Sequence, residues 1–264
     1  MKIEKYRIFK NDNEKSSIIE KIVNDKMTKN GFIYDSKDYD LAIAIGGDGS
    51  FLRMVKNSSF NSDILYVGIN TGTLGFAQEV SIDDIDDFIN DLKLNDFKID
   101  KVGVQETKVF TNNSVSNFYS LNEIVIRRED LNTLLLDVYI DESLLEQFIG
   151  DGILVSTSFG STAYNLSYGG SIVYNTFHTL QITPMAPLNN KSYRNLLNSV
   201  ILPENKKVTL IPKNKNDILI TIDGENNKYI DVDKIETFVD KKRISLLRRK
   251  DYNFSKKIND KFLK

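Results

Sequence analysis

Two uninterrupted apolar runs, LAIAI at residues 41–45 and ILYVGIN at 64–70, each end in a glycine-containing turn. A strand apolar at every position is covered on both faces, as a parallel strand is when helices flank its sheet. The first run enters Gly46-Gly47-Asp48-Gly49-Ser50 and then a helical stripe through Phe51, Leu52 and Val55; the second enters Thr71-Gly72-Thr73-Leu74-Gly75-Phe76. Upstream, residues 2–9 alternate loosely as a strand. Ile18, Ile19, Ile22, Val23 and Met27 then repeat at helical spacing before Gly31, a C-cap candidate. Downstream, Ser81 with Asp84 three residues later reads as an acidic capping box opening a helix through Ile82, Ile85, Phe88, Ile89 and Leu92. Residues 1–100 are therefore expected to form an α/β domain with an open, mainly parallel sheet.

Beyond residue 100 the period changes. KVGVQETKVF, SNFYSLNEIVI, TLLLDVYID, LLEQFIG, GILVST, KKVTLIP, DILITIDG and KYIDV are short, often alternating and separated by Asn, Asp, Gly or charged residues. That pattern predicts a β-rich, antiparallel, sandwich-like C-terminal domain over 101–240, with Ala163 to Gly170 as a short helix or turn. The last segment, 241–264, mixes a strand with a lysine-rich helical stretch whose basic residues read as a solvated face.

Composition narrows the chemistry. The 264 residues include no cysteine and one histidine, His178, so disulfides, thiolate metal sites and His-based metal clusters are excluded. His178, beside Phe177, reads as a surface or half-buried packing residue, and no G-x-S-x-G elbow accompanies it. A formal net charge of −2 offers no field for nucleic acid or an anionic membrane. The amino terminus lacks the apolar core of a signal peptide, and no stretch approaches the ~20 apolar residues that span a bilayer. The expectation is a cytoplasmic protein without nucleic-acid or membrane partners.

In a parallel α/β sheet, ligands bind beyond the carboxyl ends of the strands, where glycine turns and helix N-termini present backbone N–H groups to anions. Gly46 to Ser50 occupies such a position without being a Walker loop or a G-x-G-x-x-G turn. Asp48 is the unusual member, because a carboxylate repels phosphate unless it binds a metal ion or accepts a proton. An aspartate that takes the proton of an attacking hydroxyl is an established part of phosphoryl transfer. A turn or N-cap role for Asp48 is the structural alternative.

Further along stand Leu121-Asn122-Glu123, Gly150-Asp151-Gly152, Thr157-Ser158-Phe159-Gly160-Ser161-Thr162-Ala163-Tyr164 and Ser167-Tyr168-Gly169-Gly170. Taken with GGDG, which also occurs in diacylglycerol-type lipid kinases and 6-phosphofructokinases, this order resembles the NAD kinase family, bacterial type, over about residues 41–225. The resemblance implies an α/β domain followed by a β-rich domain, with the chain end returning to the first. It also implies ATP-dependent phosphorylation of the adenosine-ribose 2′-hydroxyl of NAD to NADP, a divalent metal ion, usually magnesium, and a homo-oligomer, dimer or tetramer. By the same resemblance Asp48 is the catalytic base and Gly46, Gly47 and Gly49 are close-approach glycines. Asn122 and Glu123 bond the dinucleotide, and Asp151 is the acid of the second GDG. Thr162, Ala163, Tyr164, Asn165 and Ser167 line the adenosine pocket; Ala186 and Asp223 match positions near the nicotinamide; Phe76 matches the pocket wall.

Each of these residues also has a structural reading. Asp151-Gly152 alone resembles a hairpin turn, Asn122 a turn residue, Tyr164 a core side chain and Glu123 a solvated charge. The chain departs from the family at Ser158-Phe159, where Pro-Thr or Pro-Ser is usual, at Ser171, where proline follows the two glycines, and at Ile149. Two other functions share the motifs: a GGDG-type kinase of a lipid or sugar alcohol, and a non-catalytic NAD/NADP-binding sensor.

Overall fold

The computed structural model describes every residue except Met1, Thr73, Leu74 and Leu131; Thr73 and Leu74 of the second glycine turn thus lie outside the described residues. The chain divides into two compact units, Met1–Val102 with Arg243–Lys264, and Gly103–Lys242.

In the first unit β1 (Lys5–Lys10), α1 (Glu14–Lys29), β2 (Ile33–Tyr34), β3 (Leu41–Gly46), α2 (Asp48–Asn57), β4 (Leu65–Asn70) and α3 (Ile85–Leu94) follow in sequence. β2, β1, β3 and β4 lie side by side in that order, all parallel. β3 and β4 are buried at every position, as their unbroken apolar runs require. Ile19, Val23 and Met27 of α1 and Phe88, Ile89 and Leu92 of α3 share a core with Leu41, Ile43 and Ile45, while α2 packs on β3. α1 begins where the Asn13 side chain accepts the Ser16 N–H at 2.8 Å, and ends with Gly31 at φ +89°.

The expected cap at Ser81 is corrected. Residues 81–84 form a turn in which Ser81 Oγ donates to Asp84 Oδ2 at 2.6 Å, and α3 starts at Ile85 with Asp84 in the N-cap position. The serine is satisfied by the aspartate side chain rather than by a helix N–H.

β5 (Phe97–Thr111) carries the chain into the second unit. There follow β6 (Ser114–Ser120), β7 (Glu123–Arg128), β8 (Leu134–Ile140), β9 (Ser143–Gly150), β10 (Gly152–Thr157), a 3₁₀ turn (Phe159–Thr162), α4 (Tyr164–Ser167), β11 (Thr179–Met185), β12 (Val200–Pro203), β13 (Val208–Pro212), β14 (Ile218–Ile222) and β15 (Glu225–Tyr229). One sheet has the order β12-β11-β10-β7-β14-β15 and is antiparallel throughout. β9, β8 and β13 join the first half of β16 (Val232–Arg249), β5 and β6 in a facing sheet. Ile124, Ile126, Ile153, Val155 and Ile220 from the first sheet pack on Leu136, Val138, Phe148, Val208 and Leu210 from the second, which makes an antiparallel β sandwich.

Asp151-Gly152 is not a hairpin turn. β9 pairs with β8, and β10 pairs with β7 and β11, so the chain changes sheet at Asp151. β11 and β12 were not legible in the sequence, because Pro184 interrupts TLQITPM and demotes it as a strand. The structure accommodates the proline because β12 pairs with β11 only over Thr179–Ile182, leaving β11 an edge at Pro184.

β16 returns to the first unit, where Ser245 and Leu246 pair in parallel with Leu65 and Tyr66 of β4. α5 (Phe254–Phe262) ends the described fold. Its basic residues are not uniformly solvated as expected: Lys257 is 8% exposed.

Candidate active site

β3 delivers Gly46 at φ +148°, Gly47 serves as the N-cap of α2 without a side-chain bond, and Asp48 is the first helical residue. A Cβ on Gly46 would lie 2.2 Å from Ser50 Oγ, the hydroxyl that donates to Asn11 Oδ1 at 2.7 Å. The turn thus closes onto the end of β1. Around Gly47 nothing lies within 4 Å of a would-be Cβ, so the protein itself leaves that position open.

Asp48 is not the N-cap of α2; it is the first helical residue, after Gly47. Its Oδ2 accepts the Phe76 N–H and its Oδ1 the Ala77 N–H, both at 3.0 Å. The carboxylate is therefore aimed by two backbone donors from the second glycine turn and sits at the positive end of α2. Gln78 Nε2 donates to the Gly47 carbonyl at 2.7 Å, tying the same turn to GGDG a second time. Gly75 is the unforeseen partner: a Cβ there would stand 2.0 Å from Asp48 Oδ1. Gly75→Ala is expected to turn the Asp48 carboxylate away from its two N–H donors while the unit stays folded, measurable as faster amide exchange at Phe76 and Ala77 beside an unchanged circular dichroism spectrum. Phe76 directs its ring toward α5, with centroids 6.1 Å from Phe254 and 5.2 Å from Phe262.

In the second unit the site residues gather around the turn between β6 and β7. β14 and β15 are joined by Asp223 and Gly224, both at positive φ (+45° and +87°), the signature of an Asp-Gly hairpin turn. From that turn the Asp223 carboxylate accepts the N–H groups of Leu121 (2.7 Å), Asn122 (2.8 Å) and Glu123 (3.2 Å). The Asn122 carbonyl accepts the Thr157 N–H at 2.8 Å, and Thr157 Oγ1 donates to the Leu121 carbonyl at 2.6 Å. These bonds use the backbone and leave the Asn122 amide side chain without a protein partner among the described residues.

Glu123 is buried, and its Oε2 has no partner among the described residues. Burial first, then the Asp223 charge, push its pKa up to about 8, against the pull of the Tyr164 N–H. Asp223 is pushed up by burial to about 6 despite its three N–H donors. Its three N–H donors favour the ionised form of Asp223, whereas burial beside that charge favours the protonated form of Glu123. A raised carboxyl pKa means tighter proton binding in the folded state. Its stabilising share is complete below the unfolded value near 4.5 and is lost as pH climbs through about 8. The unfolding free energy measured in urea is expected to fall between pH 6 and pH 8 by on the order of a few kcal/mol, and Glu123→Gln should flatten that slope.

The segment after β10 is held by the same turn. Gly160 N–H donates to Thr157 Oγ1 at 3.1 Å, and the 3₁₀ turn leads into α4. Asn165 is fully buried, with Nδ2 donating to the Ser161 carbonyl at 3.3 Å and Oδ1 accepting from Thr183 Oγ1 at 2.6 Å. Its amide is occupied by the protein. Tyr164 and Tyr168 stand edge-to-face with centroids 5.0 Å apart and hydroxyls 3.2 Å apart, both partly exposed. Thr162 and Ala163 are half-buried beside them; Ser167 is exposed. Asp151 and Ala186 lie exposed at the sheet crossing, where the Asp151 N–H donates to the Met185 carbonyl at 3.0 Å and Ala186 adopts φ +44°.

The departures in the loop are absorbed locally. Ser158 holds φ −59°, the value a proline ring would impose, and the Phe159 ring is buried rather than exposed. Ile149 is buried too, and its N–H donates to Asn195 Oδ1 at 3.0 Å.

A parallel α/β unit with an aspartate fixed at a glycine turn, together with an antiparallel sandwich carrying a buried carboxyl pair, makes a two-domain protein of the α/β-plus-β-sandwich class. The family models agree: the ATP-NAD kinase N-terminal domain matches residues 3–96 and the ATP-NAD kinase C-terminal domain residues 121–242. The NAD kinase of Finegoldia magna is 43% identical over 97% of this chain and 97% of its own length. That of Streptococcus gordonii is 33% identical over 98% and 95%. The chain belongs to the NAD kinase family. The yeast NADH kinase complexed with NADH shares the fold with a TM-score of 0.85 at 19% identity, over 98% of this chain and 87% of that one. The Archaeoglobus fulgidus NAD kinase in complex with ATP does so with a TM-score of 0.77 at 16% identity, over 97% and 99%.

Proposed function

We propose that the chain phosphorylates NAD to NADP with ATP as donor, and that Asp48 is the general base. The observation that carries this reading is the Asp48 carboxylate held by the Phe76 and Ala77 N–H groups beyond the carboxyl end of β3. Asp48 takes the proton of the adenosine-ribose 2′-hydroxyl as that oxygen attacks the γ-phosphorus. The bond from the γ-phosphorus to the bridging oxygen breaks, and ADP leaves with the pair. Gly46, Gly47 and Gly49 let phosphate approach the backbone. Asn122 and Glu123 meet the polar groups of the dinucleotide, Thr162 to Tyr164 with Ser167 flank its adenosine, and Asp223 holds the Asn122–Glu123 backbone in place.

Magnesium enters as part of the substrate, bound to the ATP phosphates. Among the described residues no three His, Cys, Asp or Glu side chains gather into a cage, and magnesium ordinarily needs only one or two carboxylates beside water and phosphate oxygens. The described helices include none long and apolar enough to cross a membrane. A cytoplasmic role in NADP biosynthesis is part of the proposal. A homo-oligomer completes the reading, to be checked by sedimentation.

An acceptor panel tests the reaction class. With ATP and magnesium, the protein should phosphorylate NAD and leave a diacylglycerol and a hexose untouched. Phosphorylation of either alcohol in place of NAD would redirect the assignment to another GGDG-type kinase, and no transfer at all would leave a binding protein.

A further inference from the structure

α5 meets the segment that aims Asp48. Its N-cap Asn253 accepts the Lys256 N–H at 2.9 Å, and its buried residues are Phe254 and Lys257, one turn apart on the same face. Lys257 sits in a lysine-rich tail, yet its ammonium is withdrawn from water. It donates to the Gln78 carbonyl, lies 3.7 Å from Glu79 Oε2 and stands 5.4 Å from the centroid of the Tyr252 ring.

Glu79 is itself fixed. Its carboxylate meets Arg248 Nη1 at 3.0 Å and accepts the Arg249 N–H at 2.9 Å, and Arg248 Nε reaches Asp100 at 3.2 Å. Burying an ammonium is costly unless partners replace its water. Here burial, followed by the Arg248 charge, lowers the Lys257 pKa to about 8, while Glu79 and Asp48 pull the other way. A solvated lysine would serve the surface equally well, so the buried placement needs a structural reason.

The reason lies on the other side of Gln78. The Gln78 side chain donates to the Gly47 carbonyl, and the two residues before it supply both N–H groups that Asp48 accepts. Lys257 therefore anchors the carbonyl end of a five-residue segment, 75–79, whose opposite end grips the carboxylate.

We propose that Lys257 is a positioning residue for Asp48, fixing the 75–79 segment and hence the direction of the carboxylate without touching substrate. The inference rests on Asp48 being the base.

A double-mutant cycle tests it. Lys257→Met is expected to lower kcat about tenfold or more, with KM for NAD and ATP changed less than threefold. Amide exchange at Phe76 and Ala77 should quicken while β1 and α1 exchange as before. In an Asp48→Asn background the same change should cost less than twofold, since the group it aims is gone. An undiminished kcat, an equal loss in both backgrounds, or uniformly faster exchange throughout the unit would overturn the proposal. If Lys257→Met does not fold, Lys257→Gln, whose shorter and uncharged side chain draws back from the Gln78 carbonyl, is read by the same three criteria. An Asp48→Asn enzyme that keeps full activity would sink the base assignment itself, an outcome distinct from any of these.

Discussion

Asp48→Asn should lose about 10²- to 10⁴-fold in kcat, the range ordinarily supplied by a positioned general base. The asparagine keeps nearly the same shape. Its single carbonyl oxygen can accept one of the two N–H groups that now meet the carboxylate, but its amide nitrogen faces the other as donor against donor. The turn should therefore relax slightly rather than unfold, with dinucleotide binding retained because Asn122, Glu123 and Tyr164 are untouched. The measurement is kcat against KM for NAD in a coupled assay, with NAD affinity by calorimetry. A loss confined to KM would mean that Asp48 binds substrate rather than accepting its proton.

The second large effect is expected at Gly160. A Cβ there would lie 2.2 Å from the Asn122 carbonyl oxygen, 2.5 Å from its carbonyl carbon and 2.6 Å from its Cα. All three are backbone atoms. They cannot swing aside as a side-chain tip would, because the Asp223 carboxylate holds the N–H groups of 121–123 and Thr157 holds the carbonyls of Leu121 and Asn122. Gly160→Ala should lower stability by about 3 kcal/mol, the upper part of the range for overpacking. What folds should bind NAD at least tenfold more weakly, since the displaced turn carries Asn122 and Glu123. Urea unfolding and calorimetry measure the two effects. Gly47→Ala is the matched control for stability, since nothing lies within 4 Å of its Cβ; an unchanged midpoint in Gly160→Ala would refute the steric account.

Much of this architecture is visible in the residues themselves. LAIAI and ILYVGIN announce buried parallel strands because every side chain in them is apolar, and the alternations after residue 100 announce antiparallel ones. What escapes is decided by distant partners. Pro184 argues against a strand until β12 is seen to stop short of it. Ser81 resembles a helix cap until Asp84 takes its hydroxyl.

The site divides in the same way. Asp48 stands out as a carboxylate among glycines, and the order of motifs marks Asn122, Glu123 and the 162–167 segment. The groups that aim Asp48 are backbone N–H donors at Phe76 and Ala77, which leave no signature in side-chain type. Asp223 reads as half of an Asp-Gly turn, and only the fold brings it to a segment a hundred residues earlier. The raised pKa of Glu123 is equally illegible, because it follows from burial beside that same carboxylate. Lys257 misleads outright, since its neighbours in sequence are solvated and it is not.

The most direct measurement is the ³¹P spectrum of the product formed from NAD, ATP and magnesium by the purified protein. The account predicts ADP together with one new phosphomonoester, whose phosphorus couples to H2′ of the adenosine ribose. A monoester on another hydroxyl, or bound NAD with no transfer of phosphate, would contradict it.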